Sequence, residues 1–204
     1  MLHSEKLTNQ IAVYVTGLFE RYQTPILQYH NLAHTKDVVA RANEIAANCA
    51  LNETELFIVV AASWFHDCGH LFGPAVGHEK RSALIMRKYL TEKGVEENIL
   101  YEIEQCIFTT KFPYDPKSLL AQIVCDADSY HLGTDEFFFT NELVKKEFQL
   151  RNNYLPLDWD ESTLSFLTHH NYFTIYCNTL LEEGKQNNIA FIREKTSKRC
   201  ENRA

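Results

Sequence analysis

The chain has 204 residues, of which 45% are hydrophobic, and a formal net charge of −7 at pH 7. No linker rich in Gly, Ser or Pro and no block of like charges divides it, so we expect a single domain over residues 1–204 with one substantial core. The acidic balance argues against nonspecific binding to nucleic acid or to an anionic membrane surface, and favours a small-molecule substrate.

The first two helical patterns flank a histidine-containing motif. Apolar residues recur at helical spacing over residues 11–22, and Pro25 then breaks the pattern. A second pattern covers residues 38–46. The motif between them is predicted to begin in a loop and to enter this second helix, with His34 near its first turn.

The third helical pattern is apolar on nearly every side. Asn52 and Glu55, three residues apart, predict a capping box at its start. Residues 57–65 are almost wholly apolar, and Gly69 is the predicted stop. The helix is therefore expected to be buried and to close with the pair His66-Asp67.

Later helical patterns complete an all-α bundle. They cover residues 84–89, 99–107, 119–127, 136–150, 160–168 and 172–195. No alternation typical of strands appears, so the fold class is predicted to be all-α, a single-domain helical bundle. On the pattern over 119–127, Asp128 lies four residues after Val124 and nearly beneath it, whereas Asp126 points well away.

A metal ion would explain a charged pair at the end of a buried helix. Burial of His66 and Asp67 is costly without a partner. Neutral imidazole and carboxylate bind zinc, manganese or iron, and bind magnesium more weakly through imidazole. Two adjacent ligands cannot complete a coordination shell, and His34 and Asp128 are the best further candidates. The predicted metal ligands are thus His34, His66, Asp67 and Asp128.

The chain resembles the HD phosphohydrolase superfamily in those four residues. Residues 29–34 (Tyr-His-Asn-Leu-Ala-His) resemble the first metal motif of class I cyclic nucleotide phosphodiesterases, and residues 66–70 resemble their second. Residues 126–128, followed by Leu132-Gly133, are similar to the last metal motif of bacterial HD hydrolases. The resemblance spans about residues 25–135. It implies an HD-type helical fold, with helices over 136–200 completing the bundle, and a metal-dependent phosphohydrolase.

The expected chemistry needs a nucleophile, neutralisation of phosphoryl charge and protonation of the leaving group. A bound cation would lower the pKa of a water toward ~7. Asp67 could bridge two cations with its two oxygens. By resemblance to the phosphodiesterases, His30 would donate a proton to the departing oxygen, the alternative being a structural histidine at a helix entry.

Three further residues are assigned to the substrate side of the site. His70 and His78 could orient bound water or complete a second metal site, and Lys111 could reach a substrate phosphate as a point charge. For each, the alternative is an ordinary solvated or packing side chain.

These observations predict a metal-dependent phosphohydrolase acting on a nucleotide, a cyclic nucleotide or a similar small phosphoester. The chain is much shorter than class I phosphodiesterase domains and shows no identified purine-clamping glutamine, so nucleoside mono- and triphosphates remain open. The alternatives are an HD-type di-iron oxygenase and a non-catalytic module that binds nucleotide or metal. The ligand types admit Mn, Mg, Zn, Fe, Co or Ni, as one ion or two.

The expected compartment is the cytoplasm. The six cysteines form no CxxC pair, which favours a reducing environment. The amino terminus lacks a basic stretch followed by an apolar core, and no apolar run approaches the ~20 residues that span a bilayer. We expect no membrane partner, and the sequence predicts no oligomeric state.

Overall fold

Nine α-helices and two 3-10 helices form the part of the chain that the computed structural model describes, namely residues 2–201, with side chains over 5–198. This described part contains no strand, so the predicted all-α class is confirmed. The α-helices are α1 (Leu2–Tyr22), α2 (Leu32–Ala47), α3 (Glu53–Phe65), α4 (His78–Glu92), α5 (Glu97–Phe108), α6 (Leu119–Asp128), α7 (Phe137–Asn152), α8 (Trp159–His169) and α9 (Ile175–Glu201). The 3-10 helices are Cys68–Phe72 after α3 and Tyr130–Gly133 after α6.

Helix α3 is the central element of the core. Every residue over 57–65 is buried, and helices α1, α2, α5 and α6 pack around it. A helix that is apolar on all sides is stable only inside a protein, which explains this position. The predicted capping box is confirmed, because Asn52 Oδ1 accepts from the Glu55 N–H at 3.0 Å while Glu55 Oε2 accepts from the Asn52 N–H at 2.8 Å.

The predicted stop at Gly69 was wrong. Helix α3 ends at Phe65, and Gly69 lies inside the 3-10 helix Cys68–Phe72. Its role is to permit a close approach, since a Cβ at this position would lie 2.0 Å from the backbone oxygen of His78. The backbone N–H of Gly69 also donates to Ser82 Oγ at 2.8 Å. This contact brings the start of α4 against the segment that follows α3.

The last helix starts later than its sequence pattern. Residues 172–174 precede α9, and their backbone is held by Asp126, whose carboxylate accepts from the N–H groups of Phe173 at 2.9 Å and Thr174 at 2.8 Å. Thr174 Oγ1 in turn accepts from the Cys177 N–H at 3.1 Å and so caps the helix. Tyr172 is buried although the backbone of this segment is not helical.

Three further predictions concern the whole chain. Within residues 2–201, no helix combines the length and apolar character needed to cross a membrane. Cysteines 49, 68, 106, 125 and 177 are free thiols, and Cys200 lies outside the described side chains. A single domain over 1–204 stays a prediction, and residues 1 and 202–204 lie outside the described part.

Candidate metal centre

Helix α2 positions His34 through a cap at its first turn. Asn31 Oδ1 accepts from the N–H groups of Ala33 at 2.9 Å and His34 at 3.2 Å, which fixes the helix start. The His34 side chain is buried. Its Nε2 atom lies 3.1 Å from Asp128 Oδ1 and 3.4 Å from Asp67 Oδ2. The predicted place of His34 in the first turn is confirmed.

The end of α3 positions His66 and Asp67. His66 is fully buried, and its Nδ1 lies 2.8 Å from the backbone oxygen of Ser63. A carbonyl oxygen only accepts, so Nδ1 carries a proton and the neutral ring presents a lone pair at Nε2. This Nε2 atom lies 3.3 Å from Asp67 Oδ2 and 3.6 Å from Asp128 Oδ1.

Helix α6 brings Asp128, and not Asp126, to these side chains. Asp128 is the last residue of the helix, and Oδ1 faces both histidines. Asp126 points to the other side and is occupied by the residues that precede α9. The sequence argument from the position of Val124 therefore selected the carboxylate that lies with the histidines.

The side chains from the three helices suit a divalent cation. The ligand atoms of His34, His66 and Asp128 all lie within 4.8 Å of one another. The Nε2 atoms of both histidines and Oδ2 of Asp67 are buried, and no hydrogen-bond partner satisfies them. Two ligands about 2.1 Å from one ion are separated by about 3.0 Å at a right angle and about 3.4 Å in a tetrahedron. The observed separations of 3.1–3.6 Å agree with a shared ion.

The electrostatics of the group match a positive charge at its centre. Burial lowers the pKa of His34, but the carboxylates of Asp128 and Asp67 outweigh burial and raise it to about 9. Burial would raise the pKa of Asp67, yet the neighbouring His66 and His30 hold it well below its usual range. Because the carboxylates stay ionised, either protons on the imidazoles or a metal ion must balance them.

A second group lies on the other oxygen of Asp67. Oδ1 is 3.4 Å from His78 Nε2 and 3.7 Å from His70 Nε2, and the two imidazole rings stack at 3.9 Å. Burial is the largest influence on His70 and lowers its pKa to about 2, so this ring is neutral. The three side chains could also hold a metal. Asp67 thus faces one histidine group with each carboxylate oxygen.

Glu147 and Arg151 of α7 complete the site, and sequence reasoning missed both. Glu147 accepts from His30 Nδ1 at 2.8 Å, from the Tyr29 and His30 N–H groups at 2.9 and 3.0 Å, and from Arg151 Nε at 2.9 Å. Burial raises the Glu147 pKa, but the His30 hydrogen bond and the backbone bonds bring it to about 2. The only sequence signal is a Glu–Arg pair four residues apart, which is equally typical of an exposed helix face.

A cavity of about 290 Å³ adjoins His34 and Asp128. Its wall combines aromatic and charged side chains, among them Tyr29, Asp37, Arg41, Tyr130, Glu136 and Phe139. Lys111 is exposed on the segment between α5 and α6 and does not line this cavity. The structure therefore groups His30, His70 and His78 with the four predicted ligands and leaves Lys111 apart from that cavity.

Comparisons with known proteins agree with the fold. The family model described as HD domain matches residues 31–133, which is half of the chain. No curated protein matches the sequence. A crystal structure described as a predicted HD superfamily hydrolase from an uncultured Thermotogales bacterium superposes with a TM-score of 0.60 and 19% identity, covering 93% of this chain and 91% of that chain. At this identity the similarity concerns the fold.

Proposed function

Because this chain belongs to the HD domain family of metal-dependent hydrolases, we propose that it hydrolyses a small phosphoester, such as a nucleotide or a cyclic nucleotide. His34, His66, Asp67 and Asp128 are the proposed ligands of a divalent cation. One observation carries the proposal: buried, unpartnered nitrogen and oxygen atoms of His34, His66 and Asp67 meet at one point, beside the carboxylate of Asp128. Such an arrangement is costly unless an ion satisfies it.

A divalent cation bound there would lower the pKa of a coordinated water and neutralise charge on phosphoryl oxygens. The protein's own residues would orient the ester. The cavity beside His34 and Asp128 is close to the lower end of the volumes typical of small-molecule sites. Aromatic side chains in its wall, such as Tyr130 and Phe139, offer surfaces for a base or another flat leaving group.

His30 is the proposed proton donor. The Glu147 carboxylate accepts from Nδ1, which fixes the ring and leaves Nε2 to face a substrate. The His30 ring stacks on His70 at 4.2 Å and lies 6.0 Å from the His34 ring, measured between centroids. A proton carried at Nε2 is thus held next to the cation ligands. His70 is proposed to contact the phosphoryl group, and substrate roles for His78 and Lys111 stay predictions.

The alternative with a specific observation in its favour is an HD-type di-iron oxygenase, because Asp67, His70 and His78 could hold a second metal. Such an enzyme would consume oxygen in an iron-dependent reaction. A phosphohydrolase would release phosphate or a phosphomonoester with several divalent metals and without oxygen. A non-catalytic module would bind metal or nucleotide without turnover.

The test is hydrolysis of cyclic nucleotides, nucleoside mono- and triphosphates and an aryl phosphodiester by metal-stripped protein resupplied with Mn²⁺, Mg²⁺, Zn²⁺ or Fe²⁺. We expect activity only with metal, and none in Asp67→Ala. Asp115→Ala, which removes an exposed carboxylate on the segment after α5, is the matched control and should keep full activity. Metal binding without hydrolysis of any ester in the panel would reject the phosphohydrolase.

A further inference from the structure

The histidines of the site differ in the hydrogen-bond partners of their Nδ1 atoms. His66 Nδ1 lies 2.8 Å from the Ser63 oxygen, and His78 Nδ1 lies 2.9 Å from the Ala75 oxygen. Both partners are carbonyl oxygens and only accept, so the proton is on Nδ1. In its neutral form each ring therefore presents an Nε2 lone pair on the side of Asp67, which is the form that binds a metal.

His70 has the opposite arrangement. Its Nδ1 lies 2.9 Å from Nη2 of Arg151. A guanidinium has five N–H donors, no acceptor and no accessible deprotonated form, so His70 Nδ1 must accept. The His70 proton is consequently on Nε2, which faces Asp67 Oδ1 and has no other partner. A protonated nitrogen has no lone pair for a cation.

Arg151 is fixed in this position. Its Nε donates to Glu147 Oε1 at 2.9 Å, and its side chain is 13% exposed. The His70 ring is stacked between those of His30 and His78, at 4.2 and 3.9 Å, which keeps its Nδ1 edge toward the guanidinium. The group His30, His70 and Glu147 could otherwise hold a cation, but Arg151 already contacts two of its three members.

We propose that Arg151 closes the second possible cation position, formed by Asp67, His70 and His78, by fixing His70 as a hydrogen-bond donor. The position then keeps only Asp67 Oδ1 and His78 Nε2, fewer than the three protein ligands typical of a catalytic metal. The protein accordingly holds one cation per chain, on the Oδ2 side of Asp67. The His70 Nε2–H is left to donate to a phosphoryl oxygen of the substrate. This inference rests on the proposed metal centre and specifies its stoichiometry.

The test titrates metal-stripped, full-length protein with Mn²⁺ alone. Bound metal per chain is measured by elemental analysis, and low-temperature electron paramagnetic resonance distinguishes isolated from spin-coupled Mn²⁺. We expect one isolated Mn²⁺ in the wild type and in His70→Ala. Arg151→Leu should take up a second, coupled Mn²⁺ at least about tenfold more tightly than the wild type does, the size of effect that contacts behind a metal-ligating histidine have.

Two controls separate the guanidinium from general effects. Arg151→Lys keeps a side chain that only donates and should stay at one Mn²⁺. Arg87→Leu removes an arginine that also pairs with glutamates, at 2.8 Å each, but on the remote α4–α5 surface, and should not change the stoichiometry. Nitrogen NMR of the wild type loaded with Zn²⁺ reads the tautomers directly, with Nε2–H expected for His70 and Nδ1–H for His78, even where a variant does not fold.

The outcomes distinguish this inference from the proposed function. Two tight, coupled Mn²⁺ ions in the wild type, with one lost in His70→Ala, would overturn the closure by Arg151 and leave the metal centre intact. A single Mn²⁺ in folded Arg151→Leu, or an Nδ1–H tautomer at His70, would also reject the closure. A folded wild type without any bound cation would reject the metal centre itself.

Discussion

The two sides of the Asp67 carboxylate differ in how far protein groups satisfy the hydrogen-bonding atoms around it. On the Oδ2 side, His34 and His66 meet the carboxylate with buried atoms that no protein group satisfies. On the other side, α7 supplies a network in which Glu147 accepts hydrogen bonds from both His30 and Arg151. The first side is complete only with an added ion, whereas on the second the protein itself fixes His30 and Arg151 and leaves His70 Nε2 without a partner. Binding and proton transfer should therefore be separable by mutation.

The largest expected effect is on the rate. His30→Ala removes the proposed proton donor and should lower kcat about 10²–10⁴-fold, the usual contribution of a general acid. Bound metal per chain should not change, because His30 is not among the proposed ligands. His169→Ala, an exposed histidine at the end of α8, is the control and should keep the wild-type rate. An unchanged kcat in His30→Ala would remove the assignment.

The α7 network should also be visible in acid stability. The pKa of Glu147 is about 2 in the folded protein, against an ordinary value of 4.5. A lowered folded pKa gives stability that is present above pH 4.5 and is lost as the pH falls toward 2. The difference corresponds to about 3 kcal/mol at neutral pH.

Urea unfolding at several pH values measures this contribution. Glu147→Gln should lose about 3 kcal/mol relative to the wild type at pH 7, and the loss should shrink steadily below pH 4.5. Glu142→Gln, on the same helix but 62% exposed, should differ little from the wild type at any pH. If Glu147→Gln is destabilised equally at every pH, the cause is lost packing and not the lost charge.

The contrast between the two sides also explains what the sequence could predict. The apolar run over 57–65, with the capping box before it, predicts a buried helix, and this prediction already places His66 and Asp67 in the interior. Helical spacing then places His34 and Asp128 on inward faces. Local periodicity and the resemblance to HD hydrolases together selected these residues, each of which lies at one end of a helix.

Glu147 and Arg151 could not be predicted in this way. Glu147 is separated from His30 by 117 residues, and its contacts depend on how α7 returns to the site. The local sequence pattern does not show that α7 lies against the site. Gly69 was misread for a related reason, since a glycine required for close approach to His78 resembles a glycine that ends a helix. Tertiary contacts, and not propensity, decide both positions.

Metal binding on the Oδ2 side of Asp67 should raise the thermal stability of the protein. At a free Mn²⁺ concentration of 100 Kd, binding to the folded state alone stabilises it by about 2.7 kcal/mol. For a chain of this size, that corresponds to an increase in Tm of about 5–10 °C. Thermal unfolding with and without Mn²⁺ should show the increase in the wild type and in Asp115→Ala, and no increase in Asp67→Ala. An equal shift in Asp67→Ala would place the ion elsewhere.

The smallest expected effect is on the free energy of unfolding, and it is measured in two similar helix caps at different distances from the site. Asn31→Ala and Asn52→Ala each remove an asparagine that accepts from two backbone N–H groups, at the starts of α2 and α3. Each should cost about 1 kcal/mol in urea unfolding of the metal-free protein. Only Asn31 fixes the turn that carries His34, so only Asn31→Ala should also weaken Mn²⁺ binding. Equal Mn²⁺ affinities in two equally destabilised variants would mean that the core, and not the cap, orients His34.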